Sequence, residues 1–246
     1  MCTFLATPAT AFRALPAGRS AKLARTPSTL PFRAVVSIPM ESDLLDGVTW
    51  YRGSSIRIQR ADLEVHVDPL GQYGEGAADF ILLTHPHYDN FSEDDIARLR
   101  TPGTVVVAPA TMKKQLADAD HFLRPGDMLQ LDGLDVLAVP AYNVDKRFHP
   151  SEAGWLGYVF TLGHTTYYHA GDTDFIDEMH SVRCDVAFLP VDGHYTMGAA
   201  EAARAAEACD ARVVVPIRWA EASSADEAES LFERSGLNIV RLERRA

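Results

Sequence analysis

Five short apolar runs in this chain each stop at a strongly polar residue, and that arrangement restricts the fold more than any other feature of the sequence. FILL (80–83) runs into THPHYDN, and LDVLAVPAY (134–142) into Asn143 and a loop that ends at His149. TTYYHA (165–170) runs into Gly171-Asp172, CDVAFLP (184–190) into the Asp192–His194 stretch, and VVVPI (213–217) into Arg218. A short, continuously apolar run marks a strand covered on both faces, because an open face would show polar residues at alternate positions. Helix signals lie between the runs. SEDDIARLR opens with Ser92 and Asp95 at capping-box spacing, ATMKKQLAD, FIDEMHSV and TMGAAEAARAAEAC follow, and Ser224 with Glu227 starts a last helix. The pattern predicts one α/β domain over residues 41–246, with two sheets inside and helices outside. Loops at one edge of a rigid sheet are where scaffolds carry their chemistry, so five polar strand ends delivered together predict a site.

Charge is unevenly spread along the 246 residues. Residues 1–40 contain Arg13, Arg19, Lys22, Arg25 and Arg33 and no acidic residue, in a segment rich in Ala, Ser, Thr and Pro. Such a composition is that of an organellar transit peptide, for a plastid in preference to a mitochondrion, and stands outside the fold. Setting those five basic residues aside leaves 18 against 34 acidic ones, a net charge of −16 in place of −11. A body that acidic does not hold nucleic acid through a general basic surface. A small-molecule substrate, if anionic, must be held locally by a metal or by a few placed cations. No apolar run approaches the roughly 18 residues that mark a membrane span. Cys184 and Cys209 precede a strand and end a helix, the positions of core thiols. Nothing in the sequence specifies an oligomeric state.

THPHYDN carries the clearest chemistry. His85 and His87 are two apart directly after a strand, so extended backbone turns both imidazoles to one side. Neutral imidazole nitrogens there can bind zinc at about 2.0–2.1 Å, and Asp89 continues the alternation with an oxygen donor.

Taken with YHAGDT, LPVDGHYTM and VVVPIRW, this stretch resembles the metallo-β-lactamase-fold hydrolases. The similarity is closest to a branch of small zinc-dependent hydrolases that read Thr-His-x-His-x-Asp-His, Tyr-His-Ala-Gly-Asp-Thr, Leu-Pro-x-x-x-x-Thr-Met and Pro-Met-His-Tyr, and it runs from about Val48 to Arg241. The resemblance implies a four-layer αββα sandwich with its site at one edge of the two sheets. It also implies that His85, His87 and a later histidine bind a first metal. Asp172 would bridge to a second metal held by Asp89, by the histidine after it, and by the histidine of the last motif.

Three positions depart from that pattern: Asn90 and Arg218 stand where second-metal histidines should be, and Asn143 stands where the third first-metal histidine usually lies. The AYN…FHP spacing is similar to a subset of the branch and favours His149 as the replacement, with His194 the other candidate and His169 structural. Arg218 stays protonated and cannot be a ligand. Its guanidinium can instead supply positive charge beside Asp89 and Asp172, which would otherwise repel each other. The expectation is therefore a metal-dependent hydrolase of a small molecule with a mononuclear site. The ion is zinc, with iron or manganese as alternatives, the ligands are His85, His87, His149 and Asp172, and Asp89 and Asp172 are the catalytic carboxylates. Two other readings fit the same residues. One is a metal-free binding or scaffold protein locked by Arg218; the other is a mononuclear non-haem iron oxygenase, whose facial triad needs two histidines and a carboxylate. Tyr88, Tyr142 and Trp219 flank the ligand positions as candidate pocket walls. His66 is expected to be a half-buried strand residue, and His121, His164 and His180 are expected at the surface or in turns.

Overall fold

A computed structural model describes residues 41–71, 76–219 and 236–245, together with residues 226, 228, 230, 232 and 233. Its strands form two six-stranded sheets. The first has the order β1 (Val48–Trp50), β2 (Ile56–Arg60), β3 (Leu63–Val67), β4 (Phe80–Leu82), β5 (Val105–Pro109), β6 (His121–Leu123). The second has the order β12 (Val213–Ile217), β11 (Val186–Pro190), β10 (Thr165–His169), β9 (Leu156–Leu162), β8 (Leu134–Pro140), β7 (Met128–Leu131).

The apolar runs divide by strand parity. Phe80 and Leu82 point into the core between the sheets, whereas Ile81 and Leu83 point outward onto α2 (Glu93–Leu99). On the second sheet Val186, Phe188, Val213, Val215 and Ile217 face inward, and Ala187, Leu189 and Val214 face α3 (Ala199–Ala208). Both faces of β4, β11 and β12 are thus dry, which is why these strands read as continuous apolar sequence. Burying a side chain such as Leu82 contributes about 1.5–3 kcal/mol, and truncating it to Ala would cost about 2–5 kcal/mol once the cavity is counted. The layers run helix, sheet, sheet, helix, the αββα sandwich that the resemblance implies.

Helix ends follow local chemistry. Ser92 caps α2, its hydroxyl accepting from the Asp95 amide at 3.2 Å, and Glu93, Asp94 and Asp95 fill the first turn where the helix dipole favours negative charge. Ala202, Ala205 and Ala206 of α3 are fully buried, small side chains that let the helix lie close on the sheet. Two expected helices are shorter than their sequences suggest. ATMKKQLAD makes only a 3₁₀ turn at Ala110–Lys114, and FIDEMHSV only one at Asp177–Ser181. Val182, directly after the second turn, is extended and stops it there. The expected helix at Ser224 and Glu227 begins outside the described residues. His121 lies in edge strand β6 rather than in a turn, and His66 is buried rather than half-exposed, with Glu64 Oε1 2.8 Å from its Nε2. Among the described residues no helix is long and apolar enough to cross a membrane.

Strand direction brings the five polar termini together. β10, β11 and β12 are parallel, and β8 shares their direction because both it and β10 run antiparallel to β9. Their C-terminal ends therefore meet at one edge. The end of β4 is stitched to the same edge: Leu156 N donates to Thr84 O at 3.1 Å, and Tyr158 Oη donates to Leu83 O at 2.6 Å.

Candidate metal centre

At that edge His85, His87 and His149 turn their ring nitrogens toward one another, with all three donor atoms within 4.8 Å. His87 Nδ1 and His149 Nε2 are 3.1 Å apart. Asp172 Oδ2 lies 3.4 Å from His85 Nε2 and 3.3 Å from His149 Nε2. Ligands at about 2.0–2.1 Å from a tetrahedral ion stand about 3.4 Å apart along the edges, so these spacings fit a zinc-sized ion. Charge state fits as well. Burial, reinforced by His85 and His149, lowers the His87 pKa to about 4, so the ring is neutral and its lone pair available. The residues present fit a single ion held by three imidazoles with a carboxylate alongside.

Each ligand position has a local cause. Thr84 ends the β4 run, and its hydroxyl lies 2.8 Å from His85 Nδ1 and donates to Asp68 Oδ2 at 2.5 Å, while Asp68 Oδ1 accepts from Thr84 N at 2.7 Å. This chain fixes the His85 ring with Nε2 toward the centre. Burial pushes the Asp68 carboxyl well above the usual range. His149 is held in the left-handed region at φ 56°, and Asn143 N donates to its carbonyl at 2.7 Å. Asp68 (φ 46°) and Arg218 (φ 56°) share that unfavourable conformation, so three of the six non-glycine left-handed residues described lie in or directly beneath the site. Such strain persists only where the surroundings over-determine it. Gly171 must be glycine: at φ 67° a Cβ would come within 2.8 Å of the Leu156 carbonyl, and this turn delivers Asp172.

The opposite wall is charged. Arg218 Nη2 donates to Asp89 Oδ2 at 2.6 Å, and Nε lies 3.1 Å from Asp172 Oδ2 and 3.3 Å from Asp192 Oδ2. Those two Nε contacts are ion pairs by distance but not aimed as hydrogen bonds, and Nε is a buried donor without a hydrogen-bond acceptor. Burial alone would lower the Arg218 pKa, but Asp172, Asp89 and Asp192 together raise it. Asp172 is fully buried, yet His85, His149 and Arg218 outweigh that burial and hold its carboxyl well below the usual range. Ser54 Oγ donates to Asp172 Oδ1 at 3.3 Å.

Other sequence candidates take supporting places. Asn90 Nδ2 lies 3.3 Å from His85 Nε2 and 3.4 Å from Asp172 Oδ2, where it bridges ligand positions. Asn143 contacts the outward nitrogen of His149 at 3.3 Å and donates to Tyr195 O at 2.7 Å, which makes it a support for His149. His194 is exposed and outside the histidine group; its backbone amide donates to Asp192 Oδ1 at 2.7 Å. His169 is buried, with Nε2 2.8 Å from Ser54 O. Trp219 stacks on Trp50 at 4.8 Å and walls a cavity with Asp89, Asp192 and Arg218, whereas Tyr142 Oη donates to Glu178.

Residues 47–218 match the beta-lactamase superfamily domain. The chain belongs to that superfamily. Among its relatives, a metal-dependent hydrolase from Thermococcus onnurineus is 32% identical over 151 residues, 58% of this chain and 67% of that protein. Another from Methanoregula boonei is 29% identical over 203 residues, covering 76% and 90%. A solved structure of a candidate metal-dependent hydrolase from Parabacteroides distasonis aligns with a TM-score of 0.74 at 28% identity, over 80% of this chain and 93% of that one. The family and the sandwich fold expected from the motifs are both borne out.

Within this superfamily member the sequence reading missed two contributors. Trp155 packs against all three imidazoles, with ring centroids 5.2, 4.7 and 5.4 Å from His85, His87 and His149. It follows the FHP loop in sequence, and an aromatic residue after a ligand loop was the available signal. Asp192 was noted only as a strand-end polar group, and only the fold shows that it shares Arg218.

Proposed function

We propose that this protein is a metal-dependent hydrolase of a small molecule, with one ion held by His85, His87 and His149 beside Asp172. The observation that carries the reading is the convergence of three imidazoles, their donor atoms within 4.8 Å of one another, with a carboxylate oxygen 3.3–3.4 Å from two of them, beside a cavity that His87 and His149 line. The relatives' description as metal-dependent hydrolases supports it. Zinc suits three imidazoles best, and iron or manganese fits the same donors less specifically. A divalent ion bound there supplies Lewis acidity that polarises the scissile group and acidifies water.

The two carboxylates divide the remaining work. Asp172 is buried and its Oδ2 is surrounded by His85, His149, Asn90 and Arg218, so it holds charge and does not exchange protons with substrate. Asp89 lines the cavity with His87 and His149 and is partly exposed, so it is the carboxylate that can orient water and accept its proton. Arg218 holds Asp89 in place. It also neutralises a share of the charge of Asp89, Asp172 and Asp192, the role a second cation would otherwise fill. We read the site as mononuclear for that reason.

Residues 1–40 lie outside the described residues, and their composition supports import into a plastid, or alternatively a mitochondrion. A reporter carrying them should enter the organelle and be cleaved near residue 40. The function is tested by stripping metal with a chelator and screening esters, lactones and amides before and after adding zinc. Hydrolysis that appears only with metal, and that His87→Ala abolishes, is expected; metal-independent turnover would overturn the reading.

A further inference from the structure

The cavity above the histidines has a definite chemical character. It holds about 300 Å³, and among the described residues its only formally charged lining residues are Asp89 and Arg218, which are paired with each other at 2.6 Å. Arg218 is further committed to Asp172 and Asp192. Away from the metal-ligand positions, an anionic group would have to win this guanidinium from three carboxylates, and a cationic one would have to share Asp89 with it. Exchanging a formed, partly buried ion pair for a new one leaves carboxylates uncompensated, which is costly.

The rest of the rim is apolar and unusually open to solvent. Tyr88 is 89% exposed, Phe148 45% and Tyr195 42%, and these are three of the five exposed large hydrophobic side chains among the described residues. All three line this one cavity. Phe148 and Tyr195 meet edge to face at 5.2 Å, and the Tyr195 backbone is anchored by Asn143. Scattered exposed aromatics need no explanation, but a group of them around one concavity marks a binding surface. A dry apolar cavity of about 150 Å³ suffices for benzene, so twice that volume accepts one or two fused rings.

We propose that the substrate is uncharged and carries a compact aromatic group seated between Tyr88 and the Phe148–Tyr195 pair, with Tyr88 and Phe148 as specificity-determining residues. The proposal rests on the hydrolase reading for the word substrate, and it replaces the anionic substrate allowed by the sequence. The test is fluorescence titration of the full chain, without added metal, with 2-naphthol, 2-naphthoate and 2-(aminomethyl)naphthalene at pH 7. The neutral probe should bind at least about tenfold more tightly than either ion, and Tyr88→Ala and Phe148→Ala should each weaken it about five- to tenfold. Because Tyr88 is almost wholly exposed, its replacement leaves the fold intact, and circular dichroism confirms that for both variants. Naphthoate or the amine binding as tightly as naphthol would overturn the proposal, and so would a Tyr88→Ala variant with unchanged affinity. The hydrolase reading fails separately: the zinc-loaded protein would then leave 2-naphthyl acetate uncleaved although 2-naphthol still binds.

Discussion

On one side of the site His85, His87 and His149 turn ring nitrogens toward a common point, and on the other Asp89, Asp172 and Asp192 gather around the single guanidinium of Arg218. The first half is a set of imidazole donors. The second half has carboxylates and a cation of its own, covalently attached and permanently charged. Two regions a few ångströms apart have thus met the same need, compensation of converging donors, by different means. On the proposed reading one half takes an exchangeable ion and the other does not. With Asn90 and Arg218 at positions where the resemblance implies histidine ligands, the carboxylates have the guanidinium as their partner.

The comparison breaks most visibly if the histidine half is removed. His85→Ala should lower metal affinity by two orders of magnitude or more, since a ligand should matter beyond the 10–100-fold typical of its supporting partners. Competition with a chromophoric chelator measures it, and affinity within threefold of the parent would show that the ion sits elsewhere.

Removing the arginine half is the next largest perturbation. Arg218→Ala leaves three carboxylates facing one another and should cost about 3–5 kcal/mol. The loss should appear as a fall in Tm without metal, and excess zinc should restore part of it. Arg218→Lys should recover less than half, because a point charge cannot span three partners. A silent Arg218→Ala would reduce the arginine to decoration.

Acid sharpens the contrast at smaller scale. His169 is buried, and burial lowers its pKa from 6.5 to about 4; the His66 pKa is lowered by the same cause. Between these values the unfolded chain binds more protons than the folded one, so stability rises with pH there. It should be complete above about 6.5 and be lost as pH falls toward 4, by of the order of 3 kcal/mol for His169. Asp172, whose pKa is depressed, contributes stability that is complete above the usual carboxylate range and is lost only as pH falls below it, so it adds no slope between pH 7 and 5. Because the raised Asp68 carboxyl contributes the opposite slope, the His169 share is read by comparison: urea midpoints should fall more steeply from pH 7 to 5 in the parent than in His169→Gln, and equal slopes would mean that the His169 pKa is not lowered in the fold. The smallest effect is expected at His194, whose replacement by Ala should change stability by no more than about 0.5 kcal/mol and leave metal affinity unchanged.

How much of this was legible in the sequence differs between fold and site. Continuous runs such as FILL and VVVPI betray strands covered twice, and their polar endings betray the site edge, because strand direction and parity are local properties. His85, His87, Asp89 and Asp172 were legible through spacing and motif. Their supports were less so: Asp192 gains its meaning from β12 lying beside β11, and Trp155 from packing on three imidazoles, of which its place after the ligand loop gives only a hint. The 3₁₀ turns at Ala110 and Asp177 read as helices by propensity, and the extended Val182 that stops the second has no local signal. His66 reads as half in solvent, although strand alternation puts Glu64, two residues earlier, on the same face, where it bonds the ring.

Metal stoichiometry tests the central claim most directly. The full chain, saturated with zinc and freed of excess by gel filtration, should carry one ion per polypeptide by elemental analysis. The double variant Asn90→His with Arg218→His should move toward two, because it returns ligands where the internal cation stood. Two tightly held ions in the unaltered protein would contradict the account, since Arg218 would then not have taken the second cation's place.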